Sequence, residues 1–219
     1  YNPNSIKFLI KENNHRYERS INTNNPFRII FSQNIYFNSN LPNLENQNGF
    51  YIEKGNGFSS GVLFEYNWKS LMFTIEPQIS KKNKYPITLP EKKKLFSVTN
   101  DVPLDNSYNS SDFKNTGIKF LYKGVAIGYG NWNQWWGPGV HNSIVMTNNS
   151  EGFYHIFIES NGYKRIKSNL EYKFKYMVSN AMRNSANQNY FLSAWYLNIK
   201  YKALEFGSSR HILSGGYYD

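Results

Sequence analysis

The feature that most constrains this chain is a strict two-residue alternation of apolar and polar side chains, repeated in segment after segment. In "KSNLEYKFKYMV", Leu170, Tyr172, Phe174, Tyr176 and Val178 share one side, and Lys167, Asn169, Glu171, Lys173 and Lys175 share the other. Two is the period of an extended strand, whose successive side chains point to opposite faces. "GVLFEYNW" sets Val62, Phe64, Tyr66 and Trp68 against Glu65, Asn67 and Lys69, and "LMFTIEPQI" sets Leu71, Phe73 and Ile75 against Thr74 and Glu76. The phase slips at Lys69-Ser70, which predicts a tight hairpin there. A second slip, at Lys123-Gly124, separates the aligned Ile118, Phe120 and Tyr122 from the aligned Val125, Ile127 and Tyr129. Further strands fit "PFRIIFSQNIYF", "GFYHIFIES" and "NYFLSAWYLNIKYKALEFGSS", and no amphipathic helix of convincing length lies between them. Longer polar stretches intervene, notably Lys81 to Phe113, with Pro86, Pro90, Pro103 and the basic run Glu91 to Lys94.

Strands with an apolar, aromatic face and a polar face, joined by alternately short and long connections, are the pattern of an antiparallel transmembrane β-barrel. A soluble β-sandwich also buries one face of each strand, so periodicity alone leaves both architectures open. Composition tilts the balance. The chain carries 18 Tyr and 16 Phe among 219 residues, and aromatic girdles mark both interfaces of membrane barrels. No apolar run approaches the roughly 20 residues of a transmembrane helix. The chain opens inside polar sequence, without Met or an apolar leader, which predicts that it is a piece of a longer one.

The charged and reactive residues predict no enzyme. There is no cysteine, hence no disulfide and no thiolate site. His15, His141, His155 and His211 fall in no metal-ligand spacing. Nothing marks Asp101, Asp105, Glu151, Glu159 or Glu171 as a catalytic pair, and "KGNG" at Lys54 to Gly57 is too short to cradle a phosphate. No metal or cofactor is expected. A net charge of +10 favours anionic partners, but the lysines are spread along strands and loops, so nucleic acid is not expected.

One stretch stands apart: "GNWNQWWGPGVHNSIVMTNNSEGFYHIFIES", Gly130 to Ser160. Trp132, Trp135 and Trp136 can stack on sugar rings. Asn131, Asn133, Gln134, Asn142, Asn148 and Asn149, together with His141, offer donors and acceptors suited to hydroxyl groups. Gly137, Pro138 and Gly139 form the turn that presents them. Alternatively, the tryptophans anchor a barrel rim and the amides satisfy loop backbone.

This stretch resembles the central signature of the Wzi capsule-assembly family of outer-membrane β-barrel proteins. The matching elements are Trp135, Trp136, Gly137, Pro138 and Gly139, then Asn142 and Ser143, then Thr147, Asn148 and Asn149, then Gly152, Phe153 and His155. "NGFYIEKGNGFSSGVLFEYNWKSLMFTIEPQ" is similar to the family's glycine-rich entry into an early hairpin. "NDVPLDN" is similar to its Asp-x-Pro loop, and "LSAWYLNIKYKALEFGSSRHI" to a later hairpin. Asn133 and Asn48 stand where the family pattern carries acidic residues.

The resemblance implies one barrel domain over residues 1–219, with N-terminal strands or linker over 1–47 and the family-like core over 48–212. It implies a non-catalytic, monomeric lectin of the Gram-negative outer membrane that anchors capsular or exported polysaccharide, expected to be anionic, with lipid or lipopolysaccharide around it. Family barrels have about eighteen strands, whereas this length supplies about ten to twelve, so an incomplete, open barrel is expected. A general porin-like channel and a soluble β-sandwich carbohydrate-binding module are the alternatives.

Overall fold

The computed structural model describes residues 26–39, 55–82, 108–137, 145–147, 152–183 and 188–218. They contain ten strands: β1 (Phe27–Asn38), β2 (Gly55–Trp68), β3 (Leu71–Lys82), β4 (Tyr108–Tyr122), β5 (Val125–Gly130), β6 (His155–Ser160), β7 (Lys164–Lys167), β8 (Leu170–Arg183), β9 (Gln188–Tyr201) and β10 (Leu204–Tyr218). No described residue is helical. One antiparallel sheet runs in the order β1-β2-β3-β4-β5-β6-β8-β9-β10, with β7 paired to β8. Strands adjacent in sequence are thus adjacent in space. The sheet does not close: β1 and β10 are its edges.

Both expected hairpins form in the register the phase slips dictate, with Trp68 opposite Leu71 and Tyr122 opposite Val125. The alternation misplaced two boundaries. Lys167 and Asn169 do not continue the face of Lys173 and Lys175, because a turn at Ser168-Asn169 separates β7 from β8. The polar stretch from Lys81 to Phe113 is partly strand, since β4 begins at Tyr108 and pairs with β3 as far as Lys82. Its Asn, Ser and Asp residues enter the ladder through their backbones, which carry the same donors and acceptors whatever the side chain.

The distribution of burial is inverted relative to a soluble sheet. Phe64, Tyr66 and Trp68 are exposed, whereas Leu63, Glu65 and Asn67, each just before one of them, are buried. His155 is 1% exposed and its neighbour Ile156 60%. The same holds for buried Thr74 and Glu76 beside exposed Phe73 and Ile75, and for buried Lys175 beside exposed Tyr176. A sandwich would bury the apolar row; this sheet buries the polar one and turns its aromatic and branched side chains outward, as a transmembrane barrel does.

Two irregularities shape the buried face. Opposite Ile75, β4 spends two residues, Asn115 and Thr116, in a bulge between the pairs Thr74/Gly117 and Glu76/Lys114, with Asn115 at φ 44°. Along β8, β6 and β7 lie end to end and read as one strand broken at residues 161–163, where Tyr163 reaches the Glu205 carboxylate of β10 at 2.9 Å. The two-residue turns at residues 69–70, 123–124, 168–169 and 202–203 share one end of the sheet, and the three longest connections, residues 39–54, 83–107 and 131–154, share the other.

Candidate functional site

The tryptophan-rich segment leaves β5 at the long-connection end and folds over the buried face. Asn131 makes the exit. Its backbone N–H donates to the Thr116 carbonyl at 3.0 Å, its side-chain oxygen accepts from the Thr116 N–H at 2.7 Å, and its side-chain nitrogen donates to the Phe113 carbonyl at 2.6 Å. The amide side chain therefore stands in for the next rung of the β4–β5 ladder. The bulge is held from its other side by Glu76, whose carboxylate accepts from Asn115 at 2.5 Å and whose N–H donates to the Thr116 hydroxyl at 3.3 Å.

Trp132 then lies along a row of cross-strand partners, Thr74, Gly117, Gly130 and His155 on four successive strands. The two glycines leave the row bare, and a Cβ on either would collide with the indole. The ring is T-shaped against Phe157, 5.7 Å between centroids. Phe157 in turn occupies the space a side chain at Gly128 would fill.

Gln134 is the hub of the next layer. Its side-chain nitrogen donates to the Trp132 carbonyl at 2.9 Å and faces His155 Nε2 at 3.3 Å, while its oxygen accepts from the Trp136 indole at 3.3 Å. His155 Nδ1 is 2.7 Å from the Phe153 carbonyl, which can only accept. The proton therefore sits on Nδ1, and Nε2 is left to accept from Gln134. Trp136 bonds through its backbone N–H to the Met146 carbonyl at 3.2 Å and stacks on Tyr196 at 5.5 Å. It belongs to the core cluster with Phe157, Met177, Leu192 and Ala194.

Beneath these rings, Glu159 accepts from Lys119 at 2.5 Å and from Lys175 at 3.1 Å. Lys175 Nζ lies 4.2 Å from the centre of the Phe157 ring, and Lys119 Nζ 5.8 Å from that of Trp132. Two cations share one carboxylate, with aromatic faces taking up the remaining positive field.

A polar pocket of about 360 Å³ opens where the segment meets the bulge, lined by Ser111, Asp112, Phe113, Lys114, Asn115, Asn131, Asn133, Gly152 and Tyr154. Of the residues expected to contact a ligand, Asn131 and Asn133 reach it. Trp132, Gln134 and Trp136 are packed behind it, and Trp135 is half-buried. Gly137 has φ 139°, a backbone conformation open to glycine. Pro138, Gly139, His141, Asn142, Asn148 and Asn149 lie outside the described residues. Reading the sequence by motif missed Lys119, Glu159 and Lys175, although each falls on the buried parity of its strand. It also missed Asn115, which the bulge brings to the pocket. Among the described residues, no three of His, Cys, Asp and Glu converge as a metal site would require.

No curated protein and no solved structure matches this chain. A family model, Capsule assembly protein Wzi, matches residues 38–217, a span that takes in all of β2 to β9, the tryptophan-rich segment and most of β10. With an inside-out sheet and that segment folded over its polar face, the chain belongs to the Wzi family of capsule assembly proteins.

Proposed function

We propose that this chain is part of a single-domain outer-membrane barrel that binds exported polysaccharide and holds it at the surface of a Gram-negative cell, without catalysing a reaction. The observation that carries the reading is the polar pocket at the long-connection end, walled by the tryptophan-rich segment and the β4 bulge. Barrels of this kind keep their short turns on the periplasmic side and their longer loops outside, so the pocket faces the exported polymer. Its amides, hydroxyls and the flank of Tyr154 match a sugar's hydroxyls and apolar face. The net charge of +10 favours an anionic glycan, while the pocket itself carries one cation, Lys114, and one anion, Asp112. Asn131, Asn133 and Trp135 make contact in this reading, with His141, Asn142, Asn148 and Asn149 extending the site. Trp132, Trp136 and Gln134 hold the segment in place. Single contacts of this type are weak and gain strength from repetition along a polymer.

The segment's packing over the buried face favours this over a wide channel. The test is the ratio of cell-bound to released polysaccharide with and without the full-length gene. Release of polymer at constant total synthesis supports anchoring. An unchanged ratio, joined to large conductance in a planar bilayer, supports the channel.

A further inference from the structure

Three hairpins close with the same chemistry. Each two-residue turn is entered by an aromatic residue and then a lysine: Trp68-Lys69, Tyr122-Lys123 and Tyr201-Lys202. The aromatic residue is the last paired position in every case, opposite Leu71, Val125 and Leu204 in turn, and its ring is exposed on the outward face. The lysines take φ of 51°, 47° and 53°. Glycine and asparagine adopt that left-handed conformation more readily, and both are favoured in such turns. Backbone demands therefore do not explain lysine at all three positions, and a use for the side chain does. Each ammonium lies 5.5, 5.3 or 5.6 Å from the centre of the preceding ring. The fourth turn, Ser168-Asn169, is preceded by Lys167 without an aromatic partner.

We infer that these turns form a belt that binds anionic phospholipid headgroups, each ring seated at the acyl boundary and each ammonium on a lipid phosphate at the short-turn side of the membrane. Rings prefer that depth, lysine stems reach past them to the surface, and anionic lipid attracts the charge. The inference rests on the outward face meeting lipid. Its lysines belong to the rim opposite the pocket, so glycan binding is separate from it.

The test uses the full-length protein refolded into vesicles of phosphatidylcholine, with and without phosphatidylglycerol. Quenching of the outward-facing tryptophans by brominated forms of each lipid gives their relative affinity. The wild type should prefer phosphatidylglycerol by about fivefold around Trp68, the ring that precedes Lys69. In K69N/K123N/K202N, whose asparagines suit the turns, the ratio should fall to about one while insertion stays intact. Equal ratios in wild type and variant overturn the inference and leave the lipid-facing reading standing. Failure of the wild type to insert into either vesicle overturns both.

Discussion

The indole nitrogen of Trp132 donates to the Thr74 hydroxyl at 3.0 Å, across the full width of the intervening strand β4. That reach is possible because Gly117 and Gly130 present no side chain along the way. The signature tryptophan is thus a crossbar that ties β3 to the exit of β5, and its loss should be felt as stability.

Replacing Trp132 with alanine should destabilise the folded protein by about 3–5 kcal/mol, the cost of emptying a large aromatic site. Gly130→Ala should cost about 1–3 kcal/mol, because its methyl meets the indole first and then the Thr116 carbonyl. Combined, the two should cost less than their sum, because only the contact with the Thr116 carbonyl is left once Trp132 is gone. Urea titration of the refolded protein measures all three, and strict additivity would refute the crossbar.

Glu159→Gln should be among the most damaging polar substitutions, at about 3–5 kcal/mol, since it leaves Lys119 and Lys175 facing each other in a partly desolvated site. Lys119→Gln should cost less, because Lys175 still pairs with the carboxylate. Comparing the urea midpoints of the two variants tests the order, and a milder Glu159 variant would show that the site is wetter than its burial indicates.

Outward positions should behave as lipid contacts. Ile127→Arg should cost about 2–4 kcal/mol in a bilayer, whereas an exposed position of a soluble protein tolerates the same change within about 0.5 kcal/mol. Stability in vesicles reads this directly, and a neutral result would argue against burial of the exposed face in lipid.

At the pocket, Asn133→Ala and Lys114→Gln should lower the bound fraction of polysaccharide while leaving insertion unchanged. Asn131→Ala should also weaken folding, because its side chain completes the β4–β5 ladder. The cell-bound to released ratio of each variant, read beside the amount of folded protein in the outer membrane, separates the two effects. A glycan signal that follows only folded amount would remove the pocket from the proposed site.

Much of the sheet could be read from the sequence because strand parity is local. Alternation located β2, β3, β5 and most of β8, and the phase slips at Lys69 and Lys123 located their turns. It could not say which face is buried, since Tyr66 and Asn67 alternate identically in a sandwich and in a barrel. That answer depends on what surrounds the sheet. The stacking role expected of Trp132 and Trp136 met a different geometry for a related reason. A tryptophan's sequence neighbours do not reveal that Gly117, on the adjacent strand β4, leaves room for its ring. The pocket was only partly legible: Asn131 and Asn133 were found by composition, but Asn115 arrives through a one-residue bulge that breaks the very periodicity used to read the strand.

The inversion of the two faces also bears on how such a chain can travel. Because apolar residues occupy only alternate positions, no stretch is greasy enough to lodge in a first membrane as a helix, and the mean hydropathy is −0.64. A continuous oily surface arises only when neighbouring strands pair and bring Tyr66, Phe73, Ile118, Tyr129 and Ile156 side by side. Compatibility with lipid is therefore a property of the assembled sheet, absent from any of its segments, and the unfolded chain can cross water to reach the bilayer in which it folds.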